Sequence, residues 1–126
     1  MSMLRWALAL AALAAAGPML VLGPAADVAS AHTEPIASMP RAGAVLSKPP
    51  KAVTITFAQE IRGGTLVVRR GGAVVSRGSG GKDPANVRRL RVSLRPRLGP
   101  GRYVVRWTVR AADGHRQAGS FAFLVR

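Results

Sequence analysis

The sequence predicts an all-β fold, an immunoglobulin-like antiparallel β-sandwich of about seven strands. Three observations predict it. Apolar residues alternate with polar ones at a period of two in Val53-Thr54-Ile55-Thr56-Phe57, at Leu90, Val92 and Leu94, and at Tyr103, Val105, Trp107 and Val109, the pattern of strands with one buried face. Gly and Pro recur at close spacing between these runs, and no stretch sustains a helical period. Once an apolar head is set aside, 95 residues remain, the size of one such sandwich.

The head is residues 1–31. One cation, Arg5, precedes an apolar run over residues 6–16; Gly17-Pro18 breaks it, Met19-Leu20-Val21-Leu22 resumes it, and Ala29-Ser30-Ala31 ends it with a small-residue cleavage signal. This reads as a signal peptide removed after Ala31. An uncleaved membrane anchor is the rival; the breakers Gly17, Pro18 and Pro24 and the single flanking charge weigh against it. Cleavage after Ala26 would put Pro24 at the −3 position. No later apolar run is long enough to span a bilayer, so a soluble, periplasmic or secreted domain over residues 32–126 is expected.

Along that domain, residues 34–39 form a candidate first strand, and Pro40, Gly43, Pro49 and Pro50 punctuate a loop before the 53–57 strand. Leu66-Val67-Val68 and Ala73-Val74-Val75 flank Gly71-Gly72, a two-residue hairpin signal. The Gly-rich, polar stretch 78–86 reads as a mobile loop. Leu90, Val92 and Leu94 alternate with arginines and Ser93, and Leu98-Gly99-Pro100-Gly101 is a tight turn. The clearest strand then puts Tyr103, Val105, Trp107 and Val109 on one face and Arg102, Arg106, Thr108 and Arg110 on the other, with Val104 the one apolar exception. Phe121, Phe123 and Val125 alternate with Ser120, Ala122 and Leu124 in a last strand. The aromatic positions read as core, the default use of such side chains.

Composition narrows the chemistry. There is no cysteine, so an exported chain has neither disulfides nor thiolate ligands and depends on its apolar core. Arg5 and Asp27 fall in the head, which leaves 18 Lys/Arg against 4 Asp/Glu and a net charge of +14. That balance favours polyanions or anionic membrane surfaces. The arginines, however, are scattered on alternating strand positions rather than interleaved with aromatics, as a solvated sheet face would have them. A monomer that binds no nucleic acid is expected.

The two histidines carry the candidate chemistry. Cleavage after Ala31 makes His32 the first residue. Its α-amine, with an unperturbed pKa of about 8, and its own imidazole can then chelate one metal. Asp113-Gly114-His115, between two strand patterns, offers a carboxylate and a second imidazole; an extended backbone puts both on one side, and Gly114 allows tighter turns. Three nitrogens and an oxygen in a tetragonal set suit Cu(II); zinc, which prefers a tetrahedral site, is the lesser candidate. By itself, Asp-Gly is an ordinary turn dipeptide. The signal lies in the combination, in a chain with only two histidines.

These residues resemble the CopC family of bacterial periplasmic copper-binding proteins. The resemblance runs through His32, the Ser38-x-Pro40-x-x-Gly43-x-x-Leu46 run, Val53-x-Ile55-x-Phe57, Gly101-x-Tyr103-x-Val105-x-Trp107-x-Val109, Asp113-Gly114-His115 and Gly119-x-Phe121-x-Phe123-x-Val125. It implies a Greek-key sandwich. It also implies Cu(II) held by the His32 amine and imidazole, Asp113 and His115, a role in copper resistance or supply, and an inner-membrane copper transport protein as a partner. Two departures stand out. Members often carry a Glu just after the V-x-I-x-F strand, where this chain has Gln59; Glu60 follows but would face the other way in a strand. Some members carry a methionine-rich Cu(I) site, whereas only Met39 follows the head here, so no dedicated Cu(I) site is expected.

Two other readings compete with a non-enzymatic copper carrier. A His at the chain start with a second His also resembles the histidine brace of copper monooxygenases. Those need an open coordination position, which Asp113 would fill, and a flat aromatic surface that this composition does not supply. A basic sandwich that binds membrane lipid or polyanion would instead ignore copper and weaken steeply with salt.

Overall fold

The computed structural model describes residues 33–126, which form nine strands in two sheets: β1 (Pro35–Met39), β2 (Val45–Leu46), β3 (Ala52–Phe57), β4 (Ile61–Arg70), β5 (Ala73–Val74), β6 (Gly81–Asp83), β7 (Asn86–Ser93), β8 (Gly101–Ala111) and β9 (Arg116–Val125). The sheets run β1-β3-β7-β6 and β2-β9-β8-β4-β5. The expected all-β sandwich is therefore the fold. Its strand total exceeds seven because of β2 and β6, which are two and three residues long, too short to show a period.

The alternation read from the sequence builds the core. Val53, Ile55 and Phe57 of β3 and Leu90 and Val92 of β7 face Leu66 and Val68 of β4, Tyr103, Val105 and Val109 of β8, and Phe123 and Val125 of β9. Tyr103 stacks on Phe123 with ring centroids 5.1 Å apart, and its hydroxyl donates to the Gly99 carbonyl, which satisfies the one polar atom that this ring takes into the interior. Trp107 and Phe121, expected in the core, are only half-buried. Trp107 meets Phe57 edge-to-face at 5.3 Å and lies over Gly119, where a Cβ would come within 2.5 Å of its ring. The absent side chain at 119 is what seats the indole.

Two local expectations change. The segment read as a mobile loop contains β6, paired antiparallel with β7. Its glycines serve close approach: Gly80, at φ +61°, leaves no room for a Cβ, which would lie 2.7 Å from the Arg91 carbonyl oxygen. The sandwich is also not wholly antiparallel, because β2 pairs in parallel with β9. The hairpin at Gly71-Gly72 forms as read, with Arg70 opposite Ala73 and Gly71 at φ +59°.

Long antiparallel pairing of β8 with both β4 and β9 sets the two ends of the molecule. One end carries the β8–β9 and β3–β4 connections and the entry of the chain into β1. The other carries the β2–β3 and β7–β8 loops and the β4–β5 turn.

Candidate metal centre

The β8–β9 connection holds the Asp-Gly-His triplet, and its shape follows from its sequence. The Ala111 amide donates to the His115 carbonyl (2.8 Å) and the Gly114 amide to the Ala111 carbonyl (2.9 Å). Closing so tightly takes Gly114 to φ +92°, a region that costs any residue with a Cβ. Asp113 then braces the turn with its own side chain: its Oδ1 accepts the His115 backbone N–H at 3.0 Å. The backbone is therefore turned rather than extended, and the two side chains still meet, with His115 Nδ1 and Asp113 Oδ2 2.5 Å apart.

That contact orients the imidazole. A carboxylate only accepts, so in that contact Nδ1 is the donor; a metal shared by the two side chains would take the place of that proton. The contact holds the carboxylate and the imidazole side by side. Two bonds to His115 do not exhaust the carboxylate, which has about four lone-pair sites. The His115 side chain is 67% exposed and that of Asp113 27%, so the imidazole stands out from the loop while the acid lies closer to the protein.

The chain enters at the same end. Thr33 is fully buried. Its Oγ1 accepts the Gln59 amide N–H at 3.1 Å and makes a longer 3.4 Å approach to the Gln59 carbonyl. The Ala58 amide donates to the Glu34 carbonyl at 2.8 Å. Thr33 and Glu34 are thus fixed to the β3–β4 connection, and β4 begins with Ile61 paired to Ala111, at the foot of the Asp-Gly-His loop. His32 and the whole head 1–31 lie outside the described residues. Among the described residues no three His, Asp or Glu side chains gather as a metal site. The structure brings together Asp113 and His115, two of the three residues singled out from the sequence.

Three further residues bear on the site. Gln59 contributes its backbone, which Thr33 engages. Glu60 is directed toward β6, with Oε1 3.6 Å from Lys82 Nζ. Asp83 stands at this end too, bound to Arg89 Nε at 2.9 Å. The Ala85 amide holds its carboxyl below the usual value, opposed by burial and assisted by Arg89. Sequence reading missed Thr33: a threonine near the chain start carries no signal that its hydroxyl will be buried against a loop 26 residues away.

Residues 36–126 match the family model described as the CopC domain. Among solved structures, CopC from Methylosinus trichosporium OB3b is similar at a TM-score of 0.62 and 25% identity, covering 75% of this chain and 93% of that one. PcoC, a methionine-rich copper resistance protein from Escherichia coli, gives 0.61 and 20%, covering 75% of this chain and 99% of that one, a likeness of fold. No curated protein sequence is significantly similar to this chain.

Proposed function

We propose the following for this chain, which belongs to the CopC family: it is an exported copper-binding protein of copper resistance and homeostasis. It holds Cu(II) through the α-amine and imidazole of His32, the carboxylate of Asp113 and the imidazole of His115. The observation that carries this reading is the Asp113–His115 pair, braced at the end of the sandwich where the chain enters. His32 immediately precedes the buried Thr33 in the sequence, and neighbouring Cα atoms across a trans peptide are about 3.8 Å apart. Fixing Thr33 against Gln59 therefore limits how far a first residue can stray from the loop, so binding loses little chain entropy on closing the site.

The donor set suits the ion. An amine, two imidazoles and a carboxylate make a tetragonal N,O site of the kind Cu(II) prefers. With Asp113 in the fourth position the ion is held rather than exposed to oxygen, so the protein is a carrier or buffer and not a catalyst. Met39, 67% exposed on β1, is a single thioether and does not make a Cu(I) site. The protein acts as a monomer. The family resemblance points to an inner-membrane copper transporter as the destination of the ion.

Titrating protein that begins at His32 with Cu(II) tests the proposal. A d–d absorption band with a one-to-one endpoint is expected, and Asp113→Ala and His115→Ala should each speed loss of copper to a competing chelator while the fold persists. Acid should release the ion, since protons compete for amine and imidazole. Saturation with no band, or retention unchanged by both substitutions, would dismiss this ligand set. Robust peroxide production with copper and a reductant would favour an enzyme instead.

A further inference from the structure

The charge of this protein is sorted along the sandwich axis. The four acidic residues that follow the head, Glu34, Glu60, Asp83 and Asp113, all lie at the end that carries the Asp-Gly-His loop. Glu34 is bonded to Ala58, Glu60 faces Lys82 on β6, Asp83 grips Arg89, which is opposite Thr56 near the end of β3, and Asp113 caps the loop after β8. Among the described residues the opposite end has no acidic side chain. There the β2–β3 and β7–β8 loops converge, and Lys48, Lys51, Arg77, Arg95 and Arg97, all exposed, line one shallow groove. Arg69 and Arg70 at the end of β4 and Arg102 at the start of β8 flank it.

We propose that this acid-free end is a docking surface for an anionic phospholipid bilayer, which would leave the Asp-Gly-His end facing away from the membrane. Three observations favour a bilayer over other polyanions. The cations stand on separate loops and strand ends around the tip of the sandwich, so they present an end face rather than a track for a strand. The apolar groups among them, Pro49, Pro50, Pro96 and Leu98, are those that can rest at a headgroup layer while Lys and Arg reach outward. No aromatic side chain lines the groove, and Tyr103 close by is fully buried, so there is no stacking platform for single-stranded nucleic acid.

The two ends act independently. Eleven residues of β8 separate them by roughly 35 Å at about 3.3 Å per residue. The Debye length in physiological salt is about 8 Å, so the carboxylates at one end do not screen the cations at the other. A uniformly basic protein would approach a charged surface in any orientation; here the end whose cations no acidic side chain offsets is the more strongly attracted.

The test measures sedimentation with phosphatidylglycerol–phosphatidylcholine vesicles, without copper, using residues 32–126, which hold every described strand and the core. Two quadruple variants of equal net charge decide it. The first is Lys48→Gln, Lys51→Gln, Arg95→Gln and Arg97→Gln at the acid-free end; the second is Arg62→Gln, Arg88→Gln, Arg110→Gln and Arg116→Gln at the other. Each cation near an anionic surface strengthens partitioning about fivefold. The first variant should therefore lose a hundredfold or more, the second less than about tenfold, with both keeping the parent thermal midpoint to within a few degrees. Binding should vanish on phosphatidylcholine alone and fall steeply with salt. Equal loss in the two variants would overturn the proposal, because net charge alone would then drive adsorption. Absence of binding to anionic vesicles, or tight binding to duplex DNA with none to vesicles, would overturn it as well. Copper retention plays no part in these readouts, so the proposed metal site stands or falls separately.

Discussion

Replacing Thr33 by Val removes one hydroxyl from the joint that fixes the chain start. Valine keeps the shape and the burial, so the change isolates the hydrogen bond. The Gln59 amide loses the acceptor 3.1 Å away, while the 3.4 Å approach to the Gln59 carbonyl is too long to add much. Leaving a buried donor unsatisfied costs about 1–3 kcal/mol. Gln59 is itself exposed, and water can reach part of its backbone, so the lower half of that range applies, about 1–2 kcal/mol. For a domain of this size each kcal/mol lowers Tm by about 4–8 °C. Thermal unfolding followed by circular dichroism should show a fall of that order, and Thr33→Ser should restore most of it. Retention of copper against a chelator separates a general loss of stability from a loosened chain start. Thr33→Val should lose copper faster, whereas Val68→Ala, a core truncation in β4, should lower Tm yet retain copper as the parent does. An unchanged Tm in Thr33→Val, or equal copper loss in both variants, would refute the reasoning.

Three other expectations can be checked by the same means. Gly114→Ala meets no atom within 4 Å but holds φ +92°, so it should cost about 1–2 kcal/mol in left-handed strain alone, read as a lower urea midpoint; an unaffected midpoint would mean the loop relaxes freely. Gly64→Ala would place a Cβ 2.2 Å from the Thr108 carbonyl oxygen, whereas Gly63→Ala meets nothing. The first should lose about 3 kcal/mol or more by forcing β4 from β8 and the second should be close to neutral; similar midpoints for the pair would contradict the packing described here. Asp83 is held below its usual pKa of 3.8, first by the Ala85 amide, so it stabilises the fold above that value and the contribution is lost as pH falls through the lowered pKa. Asp83→Asn should therefore be less stable than the parent at pH 7, with the gap in urea midpoint closing below about pH 4; a gap independent of pH would rule the linkage out.

Much of the fold was legible because it rests on period-two burial. The β3, β7, β8 and β9 runs carry their inward residues in the sequence, and Gly71-Gly72 marks its own turn. Three features were not legible. β2 pairs with a strand far along the chain, and two residues cannot display a period. β6 was hidden because the glycines that let it lie against β7 are the same residues that signal a loop. Trp107 looked like core by alternation, but Gly119 across the pair seats it at the edge of the sandwich, a cross-strand fact that no single strand shows. At the site, the Asp113–His115 contact was legible from the triplet, since Gly114 permits the turn that closes it. The burial of Thr33 was not, because it depends on a backbone amide whose position only the assembled sheets define. Likewise, the number of charges was plain from composition, while their separation along the axis emerged only when β3, β8 and their loops were placed.

The central claim is that a free amine at His32 completes a copper site with Asp113 and His115. The most direct measurement compares protein that begins at His32 with protein that begins one residue earlier, at Ala31, in the rate at which each yields Cu(II) to a competing chelator. The extra residue turns the amine into an amide and leaves the fold alone, so the account predicts much faster release from the extended form at equal thermal stability. Equal release rates would contradict it.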